Sequence, residues 1–429
     1  MMDASPPLPT VPPHHATRAG VSERVAVWAR LGAGLAVAVG TGAFIAVTTG
    51  VSVRYWFDYA WIAGVCTVLA VDAVRLHGDQ PPRYVQWLVW SMPIAAAVRA
   101  LWSVGLDLRR WDSMWISAWL AVAIAWSLAR STPERLRRTL QRLDDRQVLG
   151  EGGDGAGELS RDLDRIAHRW AVAGGGCIVL AFAVTGPLVG FGLLSDLRLR
   201  QIGVLGAYFI PAFLAAFVAG AWVGRMAAHG RLGGHVRRRQ LRLRVIPGHP
   251  DGAGGLRPLG ALFLYQSLVA AVPATYLVVW LVLFDLSGGE GLGRRYDLFA
   301  VQYWWLFAVA TLTEILAFLA PLWSIHSIMR VEKEGELWRE SDRLSGQIEE
   351  IRGRLKEANI SDRRDRESQL AAMISRFEAL EATPTWPIDT AIRRRFTLRN
   401  LGLLLPFVGY VVGDRSFWER LSNLFTSLQ

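Results

Sequence analysis

The sequence predicts an all-α, polytopic membrane helix bundle of about eight spans that carries a cytoplasmic helical hairpin. Three observations point there: eight long apolar stretches in 429 residues, a hydrophobic fraction of 52 %, and basic residues that alternate between heavy and light loops. A helix needs about 20 mostly apolar residues to cross a hydrocarbon core of about 30 Å. Stretches of that length fall at Leu31–Val53, Trp56–Leu76, Tyr84–Leu106, Trp111–Ala129, Trp170–Leu194, Ile202–Val223, Leu259–Phe284 and Ala300–Trp323. Residues 1–24 read as a disordered, Pro-rich terminus. The first apolar run is too long for the hydrophobic core of a cleaved signal, so it is expected to stay as an anchor.

Lys and Arg flanking the spans are retained on the cytoplasmic side. With the N-terminus inside, 39 of the 47 basic side chains fall on inner segments and 7 on outer loops, with Arg99 inside a span. The expected site is therefore a cell inner (cytoplasmic) membrane, with both termini in the cytoplasm. The net charge of +10 follows from this topology and calls for no nucleic-acid partner. The partner it implies is the bilayer itself, through anionic headgroups. Many tryptophans, among them Trp56, Trp87, Trp111 and Trp323, lie near span ends, as interfacial anchors do. Cys66 and Cys177 both fall inside spans, too few for a disulfide framework, and are expected to pack as small apolar side chains.

Spans 1–4 occupy residues 25–129, and a cytoplasmic segment, 130–169, follows them. There Ser131-Thr132-Pro133-Glu134 reads as a helix start, with Pro in the first turn and an acid near the positive dipole end. Leu136, Leu140 and Leu143 form one apolar stripe, a Gly-rich run at 150–157 breaks it, and Leu159, Leu163 and Ile166 form a second. Two helical stems joined by a Gly linker are expected. No strand precedes the glycines and no Gly-Lys-Ser/Thr follows them, which argues against a phosphate-binding loop. Spans 5–8 occupy 170–324 and enclose a basic loop, 225–258.

Residues 325–389 are charged and helical. Leu337, Leu344, Ile348, Ile351 and Leu355 are spaced as a coiled-coil seam, and Leu370, Met373, Phe377 and Leu380 make a second stripe. An antiparallel hairpin is the simplest arrangement; a dimeric coiled coil through 325–382 is the alternative. Arg393, Arg394, Arg395 and Arg399 precede a short apolar run, Leu401–Val412, so residues 390–429 are expected to lie in the interface or to dip into it. Reading that run as a ninth span would draw Arg399 into the bilayer.

Ionisable groups inside a bilayer are costly, so each is a functional candidate. Glu314 lies near the middle of the eighth span, Arg99 in the third, and Asp58 and Asp72 near the two ends of the second. A Glu314–Arg99 pair is expected across the bundle, either as a proton or cation site or as a structural ion pair. Asp58 and Asp72 are expected to reach interfacial water. In the basic loop, Arg237, Arg238, Arg239, Arg242 and Arg244 precede His249-Pro-Asp251 and a Gly-rich turn. Those groups could hold an anion or a lipid headgroup; alternatively the loop is a rigid cap on the seventh span. A lone His and Asp are too few for a metal site.

The string His249-Pro-Asp-Gly-Ala-Gly-Gly-Leu256 before a span, with Pro384-Thr-Trp386-Pro-Ile-Asp389 before a terminal apolar piece, resembles a group of uncharacterised bacterial multi-pass membrane proteins. The resemblance covers the chain from Arg237 onward and implies the architecture; it implies no activity. The residues contain no nucleophile–base pair, zinc signature, Walker loop or dinucleotide fingerprint, and no cofactor is expected. Three functions remain in view. The first is a membrane-anchored scaffold or signalling component acting through its hairpin. The second is a transporter or ion channel using Glu314 and Arg99. The third is a membrane enzyme acting on lipid-linked substrates at His249 and Asp251.

Overall fold

A computed structural model describes residues 14–50, 57–75, 83–105, 113–149, 155–194, 199–239, 243–246, 249–286, 300–355 and 360–413. These residues form an all-α bundle. An apolar segment in lipid must satisfy its backbone N–H and C=O groups internally, and a helix does so within itself. Among the described residues there is no strand, only an isolated antiparallel bridge between Leu149 and Leu243.

The membrane part is built from α1 (His14–Thr49), α2 (Phe57–Arg75), α3 (Arg83–Val104), α4 (Ser113–Arg130), α6 (Gly155–Leu194), α7 (Leu199–Gly230), α9 (Arg257–Leu286) and the first part of α10 (Ala300–Leu355). Seven of these, all but α3, are long and apolar enough to cross a membrane. α3 has the length, 22 residues, but Gln86 and Arg99 lower its hydropathy. It packs against both α2 and α4 all the same. The helix α1 starts at His14, so part of the terminus expected to be disordered up to residue 24 is helical.

Lipid tails are as apolar as leucine, so close backbone packing holds membrane helices together where burial from water cannot. The tightest seam is between α6 and α7. A Cβ on Gly174 or Gly220 would overlap the opposing glycine's carbonyl, and one on Gly224 would overlap the carbonyl oxygen of Trp170. Cys66 is buried in the α2–α3–α4 cluster, as expected, whereas Cys177 is exposed on α6.

At the end of the bundle where the basic residues gather, apolar side chains form a larger core. The stems α5 (Thr132–Asp145) and the start of α6 bring Leu136, Leu140, Leu143, Leu159 and Leu163 into one core. That core is completed by α8 (Leu232–Arg238), by Leu243, by the start of α9, and by Phe318 to Met329 of α10. Each fully buried leucine there is worth about 1.5–3 kcal/mol.

Beyond the bundle α10 continues without a break to Leu355, and α11 (Ile360–Glu381) returns antiparallel to it. Glu340 meets Arg376 at 3.2 Å, and Lys333 Nζ donates to the carbonyls of Glu381 and Thr383. Leu344 and Leu380 are buried, while Ile348, Ile351, Leu355 and Leu370 have side chains outside the described set.

The element that the sequence leaves most open is α12 (Thr390–Gly413). It does not lie flat beneath the bundle. It climbs beside α9 and α10: Ile392 sits near Gly260, Phe396 stacks on Phe318 at 4.1 Å, and Leu403 clusters with Ala274, Leu277, Val278 and Phe307. Those α9 and α10 positions lie within apolar spans. Of the two expected placements, the interface and a dip into the bundle, the second agrees with this packing, and the fold gives Arg399 a partner.

Gly224→Ala is expected to destabilise the detergent-solubilised protein by about 1–3 kcal/mol, read as a lower thermal midpoint. Gly176→Ala, with open space at its Cβ position, is expected to leave the midpoint unchanged.

Candidate functional site

The ionisable groups expected in the spans are all present, but with different partners. Arg99 does not meet Glu314. Its Nε donates to Asp58 Oδ2 at 2.8 Å, joining α3 to α2, and Trp115 Nε1 of α4 donates to the same oxygen at 3.1 Å. Asp72 is held by Arg30 of α1 at 3.2 Å. Both aspartates are buried and do not reach interfacial water. Their carboxylates are neutralised across helix pairs, because an unpaired buried charge costs several kcal/mol, about 3–5.

Glu314, 0 % exposed, is paired with Arg399 of α12 at 2.7 Å. The same guanidinium donates to Ser267 Oγ of α9 at 2.7 Å. One arginine thus ties three helices together. The sequence suggested Arg99 as the partner of Glu314; folding brings Arg399 to it instead.

The motifs at the basic end are structural clamps. Asp251 Oδ1 accepts from the amides of Ala253 and Gly255, each at 3.0 Å, and lies 2.8 Å from His249 Nδ1. Gly252, Gly254 and Gly255 all have positive φ, the conformation this turn requires and one that side chains resist. Burial alone would raise the Asp251 carboxyl, but the two amides and His249 hold it below the ordinary carboxylate range. Arg146, 3.4 Å from Asp251 Oδ2, fastens the turn to the end of α5.

Among the described residues, the arginines of that loop do not form one anion site. Arg237, Arg238 and Arg244 are exposed, Arg239 is paired with Glu158 and Asp162, and Arg242 lies outside the described residues. Asp389 Oδ1 accepts from the Ile392 amide at 2.7 Å, capping α12, while Oδ2 meets Arg257 at 2.9 Å. Trp386 stacks on His326 of α10 at 4.3 Å. The second motif therefore anchors the foot of α12 to both α9 and α10.

What the sequence reading missed is a cavity of about 70 Å³ at the basic end, between α2, α4, α5, α6, α7 and α9. Its polar lining includes Asp72, Arg130, Glu134, Asp164, Arg225, His229 and Gln266. On five helices the polar residue is followed, one turn farther from the basic end, by an apolar one that also lines the cavity. The pairs are Asp72 and Leu69, Arg130 and Trp126, Asp164 and Ala167, Arg225 and Trp222, and Gln266 and Val269. Together they make a cup with a polar wall and an apolar floor. Glu314 does not line it. The signal available in the sequence was a polar residue at the inner edge of each span, three or four residues from an aromatic or aliphatic one. That spacing is common at any membrane interface, so it does not single out the five that converge.

Two outcomes are expected. Glu314→Gln and Arg399→Gln each lower stability by about 3–5 kcal/mol, and the double variant recovers part of the loss in a thermal-unfolding cycle; additive losses would contradict the pairing. The depressed carboxyl of Asp251 contributes stability that is full above the unfolded value of about 3.9 and is lost as pH falls through the lower folded value. Asp251→Asn therefore costs roughly 1–3 kcal/mol at neutral pH and flattens the acid limb of the stability curve. No family model, curated protein or solved structure matches the chain.

Proposed function

We propose that the chain is a membrane-anchored scaffold or signalling component that acts through the hairpin of α10 and α11. The observation that carries this reading is the continuity of α10. One helix of 56 residues runs from the bundle into the hairpin, and the chain returns to the bundle through α12. From Pro321, where α10 can hinge, the helix runs on through the buried Ile325 and Met329 into the hairpin, so displacement of that packed stretch reaches the hairpin. In this reading the basic end and the N-terminus face the cytoplasm, α3 crosses with its neighbours, and exposed Arg237, Arg238, Arg244 and Arg393 to Arg395 meet anionic headgroups. The hairpin offers exposed Trp338, Val331 and Ile374 to a cytoplasmic partner or a second copy of the chain.

The transport reading has less support. A carrier or channel needs a hydrated site near the midplane. Glu314 is instead dry and paired, and the cavity ends on an apolar floor. The enzymatic reading loses its candidate groups, because His249 and Asp251 are committed to the turn.

Replacing residues 334–381 by a Gly-Ser linker tests the proposal. The shortened protein is expected to insert normally yet to give the host cell the protein-expression profile of a deletion strain; full complementation would overturn the reading. In proteoliposomes, the purified protein is expected to leave pH and ion gradients intact. A flux abolished by Glu314→Gln would establish the transport reading in its place.

A further inference from the structure

The hairpin of α10 and α11 hides little of its own apolar surface. Among its described residues Leu344 and Leu380 are buried, and Leu337, Met373 and Phe377 are half-buried. Val331, Trp338 and Ile374 are exposed, Trp338 to 71 %. The exposed three share one side. Each residue turns a helix by about 100°, and two antiparallel helices turn in opposite senses when viewed from one end. The position just after the contact stripe therefore falls on the same side of both helices. Trp338 follows Leu337 in this way, and Ile374 follows Met373. Val331, seven positions before Trp338, lies on the same face of α10.

Among the described residues that side is acidic. Glu334 and Asp342 stand four positions before and after Trp338, and Glu378 stands four positions after Ile374, the spacing of neighbours on a helix surface. Glu367 and Glu381 lie seven positions to either side of Ile374. All five carboxylates are exposed. Arg330 meets Glu334 at 2.7 Å. Arg339, Arg343 and Arg376 fall toward the other side, where Arg339 meets Glu336 at 3.1 Å and Arg376 meets Glu340 at 3.2 Å.

We propose that this face docks a basic amphipathic helix of a cytoplasmic partner. The partner's apolar residues cover Val331, Trp338 and Ile374, and its Lys or Arg side chains meet the carboxylates around them. An exposed apolar patch with a polar rim marks an interaction surface, and here the sign of the rim selects the occupant. Anionic headgroups and nucleic acid are repelled by it. Trp338 also lies 24 residues beyond the buried Glu314 on α10. That is about 36 Å along the helix, more than half of a hydrocarbon core about 30 Å thick. A second copy docking by the same face would set carboxylates against carboxylates, a contact that like charges oppose. The inference rests on the scaffold reading and names the class of partner its hairpin takes.

The full-length protein in phosphatidylcholine nanodiscs is titrated against a fluorescent peptide of about 18 leucines and lysines, patterned as an amphipathic helix about 27 Å long. Empty nanodiscs give the baseline, and the readout is anisotropy. Saturable binding that weakens as salt rises is expected, with none for the matched leucine–glutamate peptide. Trp338→Ser and the double variant Glu378→Lys, Glu381→Lys are each expected to raise the dissociation constant about tenfold or more. These side chains are exposed, so an unchanged thermal midpoint is expected to separate lost binding from lost folding. Binding no greater than baseline overturns the proposal. So does equal binding of the acidic peptide, or an affinity unchanged in either variant. A dimer that Trp338→Ser dissociates would assign the face to a second copy and overturn it too. Absent binding, while the replacement of 334–381 still fails to complement, overturns the partner class alone. Full complementation by that replacement overturns the scaffold reading and this inference with it.

Discussion

A charge placed where hydrocarbon surrounds the protein must find an opposite charge on a neighbouring helix, and the partners this chain finds determine which helices touch. Arg30 and Asp72 join α1 to α2, Arg99 and Asp58 join α2 to α3, and Arg399 and Glu314 join α12 to α10. These pairs are weak evidence for stability in themselves, since desolvation offsets most of the attraction. Their effect is on specificity. Apolar helix faces slide against one another at little cost in lipid, whereas a misaligned pair leaves a bare charge. The Glu314–Arg399 pair matters most, because it admits a segment that its hydropathy would leave outside the bundle.

With α12 in place, the hairpin of α10 and α11 is held at both ends. The 56-residue α10 leads out, α11 leads back, and the Trp386–Asp389 segment fixes the return to the feet of α9 and α10. Beneath the spans, the leucine core of the stems locks α5, α6, α8 and α9 together. The polar cup sits just above that core. Its lining is drawn from α2, α4, α5, α6, α7 and α9 together, and α9 is also the helix on which α12 and α10 pack.

Much of this was legible in the sequence. Each apolar stretch it marks falls on a helix where described, seven of them long and apolar enough to cross a membrane, and helical spacing identified the stems through Leu136, Leu140, Leu143, Leu159 and Leu163, all buried. The Gly-rich turn at His249–Gly255 was expected, and three of its glycines have positive φ. Partnerships were not legible. Glu314 and Arg99 are a reasonable pair on composition, yet Arg99 meets Asp58 and Glu314 meets Arg399, 85 positions downstream. Spacing reports which residues share a helix face; it carries nothing about which distant helix that face will meet. The same limit hid the cup, whose polar residues come from six helices.

The account turns on whether α12 stands within the bilayer beside α9. A nitroxide at Leu405, 65 % exposed on α12, can be compared in bilayers with one at Val279 on α9 and one at Trp338 on the hairpin. Collision with oxygen, which concentrates in lipid, and with a water-soluble nickel chelate reports depth. The account predicts that Leu405 resembles Val279: ready access to oxygen and little to the chelate. Chelate access at Leu405 equal to that at Trp338 would place α12 at the surface and contradict it.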